Sequence, residues 1–179
     1  KLAPRALWWF RWAAAFTFLF GILILAIDHE RYQDRHILTS ILTGAILGTV
    51  MLANVWMIIW PNQRVVIASA EAVGTGGTAD PNAAAAGRRA LVASRTNSVL
   101  SITMLFFMAA TSHFIPNGMD HFSDASNKLV VYWVLFAVVF GAVEANALGL
   151  LGGVGPSPLR KPLETIQNFI ISGDRKSTR

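Results

Sequence analysis

The stretch ANVWMIIWPNQR, residues 53–64, decides how the rest of the chain is read. It places Asn54 inside an apolar run and then gives Trp60, Pro61, Asn62, Gln63 and Arg64 in direct succession. Such a run ends either a buried soluble helix or a membrane span. Composition separates the two. Of the 179 residues, 54% are hydrophobic and only 14% charged, and the mean hydropathy is +0.48. A soluble domain carries about a quarter charged residues, so this chain has too few to cover itself in water.

The apolar residues fall in four blocks, 12–27, 37–60, 99–115 and 129–151. A helix needs about 20 residues to cross a bilayer, and none of the blocks offers the polar face of a soluble bundle. The expected fold is all-α: a multi-pass bundle of four transmembrane helices, at about 6–27, 37–60, 97–115 and 129–151. The first block reaches its length by adding Ala6–Phe10, with Arg11 snorkelling to the headgroups. The membrane domain occupies 1–159, with a mobile cytoplasmic loop at 65–92 that is Gly/Ala-rich over 72–87, and 160–179 form a basic tail; residues 88–98 can extend the third helix. Within that tail, 163–171 can form a short surface helix.

Lys and Arg set the orientation. With the amino terminus inside, 12 basic residues lie on the inner side and only Arg31, Arg35 and Lys128 outside. Both termini are therefore expected in the cytoplasm of a bacterial inner membrane. The bilayer is the first partner. A net charge of +5 scattered at helix ends reads as topology and not as a nucleic-acid surface. Trp8, Trp9, Trp12, Trp60 and Arg64 anchor the inner interface, with Pro61 expected to stop the second helix. The absence of cysteine removes disulfides, thiolate metal sites and Cys-x-x-Cys-His haem attachment.

Two patterns predict helix packing. Ala137, Gly141, Ala145, Gly149 and Gly153 recur every fourth residue on the fourth helix, and Ser40, Gly44 and Gly48 do so on the second. Small residues at this spacing admit a neighbouring backbone, so helices two and four are expected to pack on these stripes, within one chain or against another. Glu144 and Asn146 on the fourth helix and Asn54 on the second lie near one depth, with Glu144 and Asn54 each about 9–10 Å inside the inner boundary. Arg95 and Asn97 can close the same cluster. An intramembrane carboxylate is paired, protonated or functional, so this group reads as a polar clamp, with a proton relay or quinone contact as the other reading.

The histidines His29, His36, His113 and His121 all fall on the outer side. His113 lies at a depth from which imidazole ligates a haem or chlorophyll-type pigment. No second His faces it from another span, so no cofactor of its own is expected. The spacing of His29, His36 and His121 has no regular metal-ligand pattern, and Met104 and Met108 read as packing residues.

The segments LTGAILGTVMLANVWMIIWPNQRVVI (42–67), ASRTNSVLSITMLFFMAATSHF (93–114) and LWWFRWAAAFTFLFGILILA (7–26) resemble the membrane domain of bacterial membrane-bound urate oxidases. The resemblance implies a multi-pass oxidase passing electrons to a cytochrome c, often a domain of the same polypeptide. Matching positions are Asn54, Pro61, Asn62, Gln63, Arg64, Arg95 and His113. Three departures follow: the family's earlier His-bearing helix has no counterpart, a family His falls at Leu42, and no cytochrome domain is present. The expectation is a truncated relative acting as a non-catalytic accessory subunit, packed with other subunits of a respiratory or photosynthetic electron-transfer complex. The alternative is the membrane component of a urate oxidase-like enzyme using a separate cytochrome c. A small transporter or channel with Glu144 in its path is a third reading.

Overall fold

The computed structural model describes residues 2–33, 35–113, 126–153, 155, 156 and 158. Among them the chain is helical throughout, with no strand: α1 (Leu2–Ile27), a 3₁₀ turn (His29–Gln33), α2 (Arg35–Ala53), a π-helical segment (Asn54–Ile59), α3 (Trp60–Gly74), α4 (Ala83–His113) and α5 (Ser126–Leu148). Because α2, the π segment and α3 run on as one helix, there are four helices long and apolar enough to cross a bilayer. Residues 114–125 and the tail from 159 onward, including the helix expected at 163–171, lie outside the described residues.

Pro61 does not stop the second helix. Proline lacks an N–H and its ring collides with the carbonyl four residues earlier, which breaks a regular helix. Here six residues of wider π turn precede it, and the N–H of Trp60 reaches back five residues to the Val55 carbonyl. Pro61 then sits in the first turn of α3, where a missing donor costs least. The Asn62 side-chain amide donates to the Ile58 carbonyl at 2.7 Å. The helix therefore continues to Gly74 instead of exiting at Trp60.

The expected loop over 65–92 is also mostly helix. α3 ends in a Schellman turn: Gly76 adopts φ +86°, Gly77 N–H donates to Ala72 O at 2.8 Å and Gly76 N–H to Val73 O at 3.0 Å. The Asp80 N–H then donates to Ser69 Oγ at 2.9 Å, and the Asn82 N–H to Asp80 Oδ1 at 2.8 Å. Alanine is the strongest helix former, so Ala83–Ala86 open α4 directly. Along α4, Ala86, Ala90, Ala93, Asn97 and Leu100 are buried at alternating steps of four and three, a single face turned to α3, the π segment and α2.

The small-residue stripes find different partners from those expected. Gly44 and Gly48 on α2 face α4, not α5: a Cβ on Gly44 would lie 2.7 Å from Met108 Cε, and one on Gly48 would lie 3.5 Å from Met104 Sδ. Within the chain, the stripe on the fourth helix does not pack on α2 as one face. Ala137 and Gly141 are exposed, a Cβ on Gly141 would meet nothing within 4 Å, and Ala145 is half-buried. Gly149 and Gly153 lie beyond the helix in left-handed conformations, at φ +82° and +76°. Gly149 caps α5, with Leu150 N–H donating to Ala145 O at 2.9 Å. Residues at the end of an apolar run were thus serving as a helix stop, not a packing face.

Substitution with isoleucine separates the two stripes. Gly44→Ile displaces Met108 and lowers stability by about 1–3 kcal/mol, the usual range for overpacking, whereas Gly141→Ile leaves it unchanged; thermal unfolding of the purified protein in mild detergent reads both.

Candidate functional site

The π segment is where the helices converge. Val55 and Ile59 are buried against Ala93 of α4, with Ala14 of α1, Trp56 and Ile58 packed around them. Single π turns interrupt α-helices frequently at functional sites, because the extra residue per turn re-aims a side chain. Here it starts at Asn54, which is only 2% exposed.

Asn54 Nδ2 donates to Asn97 Oδ1 at 2.9 Å, and Asn97 Nδ2 donates to the Met51 backbone carbonyl at 2.9 Å. The Glu144 carboxyl of α5 lies beside the Asn54 side chain, and its Oε2 is buried without a partner among the described residues. The structure thus brings Asn54, Asn97 and Glu144 of the expected polar cluster together across three helices. Arg95 is half-buried two residues before Asn97, and Asn146 is half-buried one turn from the end of α5; both make other interactions.

A second polar layer lies nearer the opposite end of α2. Thr111 Oγ1 is 2.8 Å from Ser40 Oγ, which lies 3.1 Å from the Phe107 carbonyl. Thr43 Oγ1 and the Tyr132 hydroxyl are 2.7 Å apart, joining α2 to α5. Thr43 and Asn54 are 11 positions apart, so the two layers are separated by about 16 Å along the helix. Sequence reasoning found only the Asn54 layer. Its missed signal was the buried face of α2, which carries Ser40, Thr43, Leu47 and Asn54 at helical spacing.

The aromatic anchors divide into two groups. Trp8 and Trp9 are 45% and 69% exposed, and Arg64 is exposed. Trp12 instead meets Trp56 edge-on, with ring centroids 5.6 Å apart. Arg11 does not simply snorkel away. Its guanidinium carbon lies 4.2 Å from the Trp60 ring centroid, 4.9 Å from Trp56 and 5.9 Å from Trp12. Each ring's negative face attracts the cation, which ties α1 to the π segment.

His113 is the last residue of α4 and is exposed. His29 is exposed in the 3₁₀ turn, while the side chain of His36 and all of His121 lie outside the described residues. Among the described residues, no three His, Asp or Glu side chains gather as metal ligands would. Leu42, where the resembling family carries a histidine, is 40% exposed on α2.

The fold and these layers define a four-helix protein built to cross a bilayer, whose buried polar side chains join its helices. The sequence model of the urate oxidase N-terminal family matches residues 27–144, and the chain belongs to that family. No curated protein and no solved structure matches it.

If the two asparagines form one interhelical unit, their effects are not additive. A cycle of Asn54→Ala, Asn97→Ala and the double variant, read by reversible unfolding in bicelles, gives a coupling of about 0.6–1.7 kcal/mol. Independent residues would give none.

Proposed function

We propose that this protein is a non-catalytic membrane subunit packed within a larger electron-transfer complex, respiratory or photosynthetic, in a bacterial inner membrane with both termini cytoplasmic. The observation that supports this reading is the use made of the intramembrane polar groups. Both ends of the Asn97 amide are engaged, its oxygen by Asn54 and its nitrogen by Met51 O. The Glu144 carboxyl lies beside Asn54. Side chains committed in this way join helices, and rigid joined helices are what a scaffold supplies. The tie to electron transfer rests on the family, whose description names a urate oxidase.

The same family membership favours a second reading, in which the chain is the membrane component of a urate oxidase-like enzyme that passes electrons to a separate cytochrome c. His113 is then this chain's candidate ligand for a haem or chlorophyll-type pigment.

Gentle solubilisation of the native membrane, followed by native electrophoresis, absorption spectroscopy and urate-dependent cytochrome c reduction, distinguishes them. The scaffold reading predicts co-migration with cytochromes or a reaction centre, with Glu144→Gln assembling normally. Urate-dependent reduction by the isolated chain, abolished by His113→Ala, would overturn it in favour of the enzyme.

A further inference from the structure

α1 meets the π segment and α3 through Ala14 and the Arg11–Trp12 contacts, and it also packs on α2. Between α1, α2 and α4 lies a groove of about 940 Å³. Its walls include Phe18 and Gly21 of α1, Gly48 and Leu52 of α2, and Ser101 and Met104 of α4. Along α1 the lining runs from Phe10 to Leu25, about 22 Å at the helical rise, the reach of a long acyl chain. At one end the groove reaches Ala14, Ile59 and Ser94. One turn of α1 further on stands Arg11, its cation held over Trp60 and Trp56.

Arg11 is incompletely satisfied. Its Nε is buried with no hydrogen-bond partner among the described residues. Ring faces attract the charge but accept none of its directed N–H bonds, of which a guanidinium has five. Arg64 stands one helical turn beyond Trp60 and is exposed, which adds positive charge at this end of the groove. A cation with an unused N–H donor at the mouth of an apolar groove is complementary to a phosphate carried on hydrocarbon.

We propose that this groove is a binding site for an anionic phospholipid, with an acyl chain lying between α1, α2 and α4 and the headgroup phosphate on Arg11. A planar, forked donor pair suits a phosphate, and bidentate pairing supplies orientation as well as charge. The Trp56 and Trp60 faces hold the guanidinium in place, so less side-chain freedom is lost when the lipid binds. Hydrocarbon alone does not distinguish this groove from bulk lipid; the phosphate contact does.

The test is native mass spectrometry of the full chain released from detergent, titrated with phosphatidylglycerol, phosphatidylcholine or inorganic phosphate. The proposal predicts one retained phosphatidylglycerol, bound more tightly than phosphatidylcholine, and no displacement by inorganic phosphate. Arg11→Gln reduces the preference for the anionic lipid by about fivefold, the value of one surface cation. Because this change also removes the contacts with the Trp rings, a second variant fills the groove from a site where nothing is packed. A Cβ on Gly21 would meet nothing within 4 Å, so Gly21→Leu retains the fold and weakens phosphatidylglycerol binding about tenfold, within the usual overpacking range. Equal retention of both lipids, unchanged binding by Gly21→Leu, or competition by inorganic phosphate would each overturn the proposal.

Discussion

The hydrogen bond between Asn54 and Asn97 is the constraint on which the rest of the structure depends. Between helices in hydrocarbon there is no hydrophobic driving force, so register must come from close packing and from polar groups that have nowhere else to bond. Asn97 satisfies one end on Asn54 and the other on the Met51 carbonyl, which fixes α4 against α2 in both rotation and height. With that register set, Ala93 comes to lie on Val55 and Ile59, and Met104 and Met108 come to lie over Gly48 and Gly44. Thr111 reaches Ser40 at the far end of the same interface.

The π segment follows from the same constraint. A regular helix entering Pro61 would lose a hydrogen bond and meet the proline ring. Six residues of wider turn absorb that conflict and place Asn54, Val55 and Ile59 all toward the interior. The wider turn also carries Trp56 and Trp60 to α1, where Arg11 and Trp12 meet them. One local accommodation thus serves three helices, and α5 is tied to α2 by the Thr43–Tyr132 hydrogen bond, with Glu144 beside the same asparagine. The long helix then supports an α3–α4 hairpin, closed by the Gly76 turn and the Ser69 contact to Asp80.

The helical class and the four spans were legible in the sequence because hydrocarbon leaves few options: long uncharged blocks can only be helices. The meeting of Asn54 and Glu144 was anticipated by counting back from Trp60 and Leu151, although neither helix ends there: the second runs on to Gly74 and α5 stops at Leu148. Which helices pair was not legible. Glycine at every fourth position reads the same whether it admits a neighbour, as Gly44 does, or faces open space, as Gly141 does. Gly149 looked like the next step of a stripe, but its φ of +82° makes it a cap. Pro61 misled for a related reason. Its usual effect is to end a helix, and nothing in the letters around it says that a π turn has made room. The Arg11 contacts were partly visible in WWFRW, but their partners, Trp56 and Trp60, lie more than 40 residues away.

α2 pairs with α4 in the register that Asn54 and Asn97 fix. The chain contains no cysteine, so introduced pairs report without background. Oxidative cross-linking of Ser40→Cys with Thr111→Cys in intact membranes tests the register most directly, since those side-chain oxygens are 2.8 Å apart. The structure predicts rapid, high-yield disulfide formation within one chain. It predicts no cross-link for Gly44→Cys with Gly141→Cys, the pairing that the small-residue stripes alone would suggest. The reverse result, a Gly44–Gly141 cross-link with none between positions 40 and 111, would contradict the account.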